Sequence, residues 1–470
     1  MSTQHSSHTI ISINKARDLF LENGPMKVSL FCKITAISFS FHANNGGTDY
    51  CRVLKLIDNS CPDSPLTMVF FAAEARDLPN VRSVGDIICL FDAQMKDSDR
   101  QMFCFFKKRH TTYSLFSGDG NGTFYPYATN TNVNVPTRAN ERIPKLRSLS
   151  IGYPFASGLT ENLRMINSIA TGKTFDLVCK VFHMNEISND VMMLYVWDGT
   201  DAPPAAFHSD LDMEKDQPSP LYLDVLPLGR EVICTFPREG TILRINIPKP
   251  SEDMNRFHSG PFWVKFSKIT YDLQSGLWRG LMNDTKSRIF LLSEEDYNVQ
   301  VCQRVYEERK HRSSPKNRMP SAYFRGPTIV TALDDKRVGY ATLMDSLTNL
   351  EVTHEFKTVV RVVTSFPWRS EDLRSPKGTY RIRLTLEDHT TRVHAYIFGK
   401  NGEKFFGHNL TTNELTKKMN KLLGIEDDGT MTGSRNPPWM HCYLRSFYMH
   451  QNDLFGSRNY WIINTRLIVD

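Results

Sequence analysis

The sequence predicts an all-β protein with short helices, arranged as three tandem five-stranded barrels. Three observations carry this. Runs of alternating apolar and polar residues recur along the chain, each bounded by Gly, Asn, Asp or Pro. An aspartate turn ends such a run three times, at Asp58-Asn59-Ser60, Asp198-Gly199-Thr200 and Asp388-His389-Thr390. The length of 470 residues exceeds what one hydrophobic core serves and fits about three domains.

In chain order, residues 26–41 read as a bending first strand, and Asn44-Asn45-Gly46-Gly47 as a turn. Val53 to Ile57 and Leu66 to Phe71 are a strand pair around Asp58. The strand Ile87–Phe91 follows the Gly85-Asp86 turn, and a hairpin tip at 96–100 leads into Gln101 to Phe106. The second round starts at Phe175–Val181 and continues through Met192–Trp197. Glu239-Gly240-Thr241-Ile242-Leu243 matches Val84 to Ile88, and Pro261–Thr270 is the last long strand. The third round starts at Phe356, alternates over Tyr380–Leu386 and returns through Val393–Phe398. Thr411 and Glu414 form a capping box for a helix whose apolar stripe is Leu415, Met419 and Leu422, with Gly424 closing it. Strands at Trp439–Phe447 and Tyr460–Val469 complete the round. A helix between third and fourth strands is the OB-fold arrangement. The expected division is 1–140, 155–308 and 328–470 as OB-folds one to three, with a proline-rich linker at 136–154 and a basic linker at 309–327.

Composition narrows the function. A net charge of +6 is too small for an indiscriminate nucleic-acid coat, so binding would rest on a local groove. Nine cysteines without a CxxC spacing predict buried thiols, and no metal cluster or other cofactor site is expected. No apolar run reaches membrane-spanning length and no signal segment opens the chain, so a soluble intracellular protein without membrane contact is expected. Gly172-Lys173-Thr174 lacks the glycine of a phosphate loop, and Ser117–Gly122 lacks the ligands of a calcium loop. No catalytic motif occurs, which points away from an enzyme. The basic run at 309–318 reads as a solvated charge run or nuclear-localisation signal before it reads as a nucleic-acid contact.

The three aspartate turns read as structural, because a strand-end Asp bonds nearby amides. Thr48, Asp49 and the Phe70-Phe71 pair read differently. Neighbouring strand residues point to opposite faces, so one phenylalanine faces the core and the other faces outward, where a base could stack on it. Asp49 suits the N1 and N2 donors of a splayed guanine. The alternatives are a solvent-facing phenylalanine and a turn aspartate. The other two rounds do not reproduce Thr48, Asp49 and Phe71.

These residues resemble the protection-of-telomeres protein 1 family, and the chain's compact length resembles its plant branch. The resemblance rests on Gly47-Thr48-Asp49-Tyr50-Cys51, Leu56-Ile57-Asp58, Leu66 to Phe71, Leu78-Pro79 and Gly85-Asp86-Ile87. Phe175-Asp176-Leu177 and Val196 to Thr200 continue it into the second domain. It implies that Phe71 stacks on a base, that Thr48 and Asp49 contact bases, that Gln101 contacts the strand, and that Phe70 is core. It also implies a nuclear, telomeric protein in which the first barrel holds G-rich single-stranded telomeric DNA, the second helps, and the third docks other telomere-capping proteins through a face bearing Arg381 and Arg383. The telomerase ribonucleoprotein is a further implied partner. Two first-barrel departures stand out: Ala36 replaces an expected aromatic, and the tip Asp97-Ser98-Asp99 is acidic. The third domain lacks the large insertion and cysteine cluster of the animal proteins, which implies a plain barrel without zinc. The runner-up is a telomerase-associated interaction factor with little DNA affinity. A general single-strand binder is a third possibility.

Overall fold

The computed structural model describes residues 9–43, 49–98, 101–106, 111–130, 139–150, 162–207, 228–248, 260–274, 276–283, 286–311, 315–325, 330–334, 338–425 and 435–468. Helix α1 (Ile13–Asn23) starts at Ser12, whose hydroxyl accepts from the Lys15 amide, and it buries Ile13, Ala16 and Phe20 along one face. Strands β1 (Met26–Ser38), β2 (Phe41–His42), β3 (Tyr50–Asp58), β4 (Cys61–Ala72), β5 (Ile87–Ser98) and β6 (Gln101–Phe105) follow. β1 pairs antiparallel with β3, β3 with β4, β5 with β6 and β5 with β1. The parallel pairing of β4 with β6 closes the ring. Leu30, Leu54, Met68, Phe70 and Leu90 fill it.

β7 (Thr112–Phe116) pairs with β5, and β8 (Ala128–Thr129) pairs with β7. Helix α2 (Ala139–Arg147) then buries Ala139, Ile143 and Leu146 against Phe31, Ile87 and Phe116. This corrects the expected linker at 136–154 and the domain end at 140. Spacings of four and three residues put all three side chains on one helix face, and Leu149 is also held, by its carbonyl accepting from Lys33 Nζ at 2.8 Å.

The second ring uses β9 (Thr174–Ser188), β10 (Val191–Trp197), β11 (Leu243–Pro248), β12 (Phe262–Gln274) and β13 (Leu277–Leu281). It repeats the first topology, closed by parallel β11 and β13. Two expectations are corrected here. Glu239–Leu243 leads into the third strand of its barrel rather than the fourth, because the connection after Asp198 is long and carries helix α3 (Arg230–Ile233). Pro261–Thr270 belongs to the fourth strand, and β13 is the last.

β14 (Arg288–Leu292) belongs to neither ring alone. Its Leu291 pairs with Val264 of β12, while Leu292 and Phe290 pair with Ala36 and Ser38 of β1. One continuous sheet therefore runs through both barrels. Helix α4 (Tyr297–His311) packs Val299 and Cys302 on Val178 and Trp263. The basic segment 309–327 is corrected too, since its described residues are fastened down. Arg309 meets Asp201 at 2.6 Å, Arg318 meets Asp345 at 2.9 Å, and Tyr323 shares a hydrogen bond with His441 at 2.6 Å. Opposite charges on the second and third barrels turn the run into a staple.

The third barrel is preceded by β15 (Thr331–Leu333) and α5 (Leu343–Thr348). It is built from β16 (Glu355–Phe366), β17 (Arg381–Glu387) and β18 (Arg392–Phe398). Helices α6 (Lys400–Phe406) and α7 (Thr412–Leu423) come next, then β19 (Met440–Tyr448) and β20 (Arg458–Ile463). β21 (Thr465–Leu467) pairs back on β15. The ring again closes through one parallel pair, β18 with β20. α7 has the expected capping box, buried Leu415, Met419 and Leu422, and a left-handed Gly424 at its end (φ 67°). The second and third barrels interlock at Phe207, which exchanges two 2.9 Å backbone bonds with Arg435 and lies under the guanidiniums of Arg361, Arg435 and Arg392. Gly276 makes room for it: a Cβ there would stand 2.3 Å from the Phe207 ring. Among the described residues, no helix is long and apolar enough to cross a membrane.

The aspartate turns share one geometry. Asp58, Asp198 and Asp388 each accept, through Oδ2, the amide of a helical segment far away in sequence: Ile13 at 2.7 Å, Ile166 at 2.6 Å and Leu343 at 2.7 Å. Each Oδ1 accepts from the hydroxyl two residues on, in Ser60, Thr200 and Thr390, at 2.6, 2.8 and 2.6 Å. That hydroxyl oxygen then accepts the next amide of the same helical segment: Asn14, Asn167 or Met344. Each carboxylate therefore binds a turn and a helix start together, and hydrogen bonds to a charged acceptor contribute about 1.5–3 kcal/mol each. Asp388→Asn should cost about 2–3 kcal/mol in urea unfolding, because a buried charged acceptor becomes a donor facing amides. An unchanged midpoint would refute this role.

Candidate nucleic-acid interface

The outer face of the first barrel is set by register. In β4, Leu66, Met68, Phe70 and Ala72 face the core, so Thr67, Val69 and Phe71 face out. Phe71 pairs with Cys51, and Cys51 with Phe41, so Phe41, Cys51 and Phe71 form one row across β2, β3 and β4. Val53, Val69 and Phe105 form the next row, across β3, β4 and β6. Lys55, Thr67 and Phe103 form the third, and Lys96 on β5 pairs with Phe103.

Cations cover these aromatics. Arg288 lies 3.7 Å above the Phe41 ring and Lys96 lies 4.8 Å from the Phe105 ring, both within cation–π range. Because β14 extends β1, the third row continues toward the second barrel. Ala36 pairs with both Lys55 and Leu292, and two residues on, Ser38 pairs with Phe290, which in turn pairs with Lys265. A half-buried aromatic from β14 thus comes to the face where Ala36 offers only a methyl. A cleft of about 420 Å³ between β2 and the second barrel is lined by Phe41, His42, Tyr50 and Arg288.

The electrostatics follow from this crowding. Burial, reinforced by the Lys265 ammonium, pulls Lys55 down to about 8, and its ammonium donates to Thr67 Oγ1 at 2.8 Å. Burial pushes the Cys51 thiol up to about 12 against the opposing pull of Arg288, so this thiol is inert at neutral pH.

Of the residues singled out in the sequence, Phe71 is 38% exposed on this face, while Phe70 is core, with its ring 5.3 Å from Phe106. Asp49 is exposed two residues before Cys51, at the upper end of the first row, and its carbonyl accepts the Ala43 amide at 2.9 Å. Gln101 is exposed at the start of β6, two residues before Phe103. Thr48 lies outside the described residues, as does Asp99 of the tip. Phe103, Phe105, Lys96, Lys55, Phe290, Lys265 and the Phe41–Arg288 pair escaped sequence reasoning. The alternation of Gln101, Phe103 and Phe105 was a usable signal for the first two. The contribution of β14 had none, because its pairing with β1 is not encoded locally.

The corresponding face of the second barrel is closed. Met193, Tyr195 and Trp197 are buried under Phe236, Ile242 and Met344, and the Trp197 indole donates to the Glu239 carbonyl at 2.9 Å.

Comparison with known proteins gives two family matches. Residues 13–158 match the family described as telomeric single stranded DNA binding POT1/CDC13, and residues 326–453 match the POT1A-like OB fold domain. Protection of telomeres protein 1a of Arabidopsis thaliana is 31% identical over 440 residues, covering 89% of this chain and 91% of that one. Protection of telomeres protein 1b of the same plant is 30% identical over 444 residues, covering 94% of each. A fission yeast Pot1 structure with single-stranded DNA aligns at a TM-score of 0.21 and 15% identity, over 60% of this chain and 89% of that chain.

The two lysines give a test of the face. Lys265→Met should raise the Lys55 pKa from about 8 toward the ordinary lysine range, since a neighbouring like charge is removed while burial stays. Side-chain NMR of Lys55 across a pH series reads this, and no movement would show that the two ammoniums do not face each other.

Proposed function

The chain belongs to the protection-of-telomeres protein 1 family, and we propose that it holds G-rich single-stranded telomeric DNA on the outer face of its first barrel. The observation that carries this is the set of three register rows, which put Phe71, Phe105 and Phe103 side by side with Lys96 and Lys55 flanking them. Unpaired bases stack on exposed rings and phosphates follow the cations, which is how OB-folds take single strands. Asp49 supplies guanine selectivity by accepting from the N1 and N2 donors of a base splayed off the stack, an edge that only a single strand leaves open. Gln101 flanks the same path, and Thr48 is assigned a base contact as the neighbour of Asp49 in sequence.

The second barrel assists through Arg288, Phe290 and Lys265 rather than through its own covered face. Burying the 3′ end in such a groove shields it from nucleases and from joining, and controls its access to the telomerase ribonucleoprotein. The reading places the protein in the nucleus at chromosome ends, with capping proteins reaching it through the third barrel. Its action is recognition, not catalysis.

Fluorescence anisotropy with a G-rich telomeric oligonucleotide and a scrambled control tests this. Phe71→Ala should weaken binding roughly tenfold, the loss of about one stacked base. Asp49→Ala should reduce the preference for the G-rich strand more than it reduces affinity. A phosphate beside Lys55 raises its pKa above about 8, so affinity should be full below that pH and fall as the pH rises past it. Equal affinity for both strands would favour a general single-strand binder. Retention of telomerase association with no measurable strand binding would favour an interaction factor.

A further inference from the structure

The third barrel repeats two rows of the first barrel's outer face, with Arg381, Arg383 and Tyr396 standing where the first has Cys51, Val53 and Val69. Phe71 pairs with Cys51, seven residues before the turn residue Asp58. Phe398 pairs with Arg381, seven residues before Asp388. Phe398 is thus the counterpart of Phe71, which corrects the expectation that no other round reproduces it. The match is hidden in the sequence because the turn-to-aromatic spacings differ: 58 to 71 in one barrel, 388 to 398 in the other.

The next row strengthens the parallel. Arg383 pairs with Tyr396, Tyr396 with Trp461, and Trp461 with Arg445, so a cation, two aromatics and a second cation cross four strands in a line. Trp461 occupies the place of Phe105, next to the residue two before the key phenylalanine. Phe398 is 56% and Trp461 39% exposed, Arg445 is half-exposed, and Arg383 and Tyr396 are partly exposed. The Arg381 guanidinium lies 5.9 Å from the Phe398 ring, and the Trp461 ring stacks on Phe447 at 4.3 Å, which holds its plane in place. Of the carboxylates on this face, Glu387 is masked by Arg361 and Arg392, each at 2.5 Å, and Glu355 lies 3.9 Å from Arg445.

We propose that this face, built around Arg381, Arg383, Tyr396, Phe398, Trp461 and Arg445, is a second binding site for a single-stranded nucleic acid. Aromatic planes set between guanidiniums match unpaired bases on a phosphate backbone, and they suit that ligand better than they suit a helix groove or a peptide strand. The site stands independently of the first barrel, so the chain engages two strands or two segments of one.

Native mass spectrometry of the full chain with single strands of about six nucleotides, offered as DNA and as RNA, tests this. Two strands per chain are expected. Phe398→Ala combined with Trp461→Ala should deplete one strand and leave the other, and Phe71→Ala should lower occupancy of the other by roughly tenfold at strand concentrations below its dissociation constant. In a Phe71→Ala background, Arg381→Glu with Arg383→Glu should weaken the remaining strand at least roughly tenfold, with an unchanged circular-dichroism melt. Retention in the RNA arm alone makes the ligand RNA. Retention in both arms means that the sugar is not read. One strand per chain, insensitive to the third-barrel changes, overturns the proposal. So does a Phe398→Ala, Trp461→Ala chain that keeps both strands but loses capture of a capping protein, which would make the face a protein-docking surface. Persistence of both strands in Phe71→Ala would count against the first-barrel reading alone.

Discussion

The carboxylate clamp at the end of the second strand is the interaction on which each barrel depends. A β-ring closed by strands alone leaves its lower opening unfilled. Here the opening is plugged by Ile13, Ala16 and Phe20 in the first barrel, by Ile166 and Ile169 in the second, and by Leu343 in the third. Apolar burial drives those segments inward, but it is non-directional and fixes no register. The aspartate fixes it, because its Oδ2 accepts one incoming amide and the hydroxyl that donates to its Oδ1 accepts the next. The same turn starts the hairpin that carries Phe71 in the first barrel and Phe398 in the third. Scaffold and outer face are therefore set by one group, and the clamp recurs even in the second barrel, where the face has been covered.

Much of this was legible in the sequence. Alternation exposed most of the strands, the aspartate turns marked the repeat, and the Phe70-Phe71 pair announced one inward and one outward ring. What stayed hidden was long-range. The rows across β4 and β6, and across β18 and β20, arise from parallel pairings between strands that are not neighbours in sequence, and no local pattern encodes them. Pro136, Pro144 and Pro154 read as linker punctuation, yet Pro144 forfeits only one helical hydrogen bond, and the burial of Ile143 and Leu146 outweighs it. The charges of 309–318 read as solvated because their partners, Asp201 and Asp345, sit on other elements.

The three barrels then differ in what their faces have become. The first keeps a moderately exposed aromatic surface that borrows cations and a ring from the second. The second has filled its own face with the long connection after Asp198 and with α5, which makes that face part of the junction with the third. The third keeps the most open aromatic surface, and its charge is arginine, whose planar fork stacks as well as it pairs. One topology, closed the same way each time, thus yields a composite face, a filled face and an open face.

β14 has a consequence for the chain as it is made. Ala36, Ile37 and Ser38 receive their edge partner only from Phe290, Leu291 and Leu292, about 250 residues later in synthesis. At about 5–20 residues per second, the ribosome leaves that edge bare for on the order of ten to fifty seconds. A bare sheet edge is a template for the wrong strand. The first barrel therefore closes its ring early but keeps this edge open until β14 emerges, and through that interval the nascent chain is exposed to mispairing.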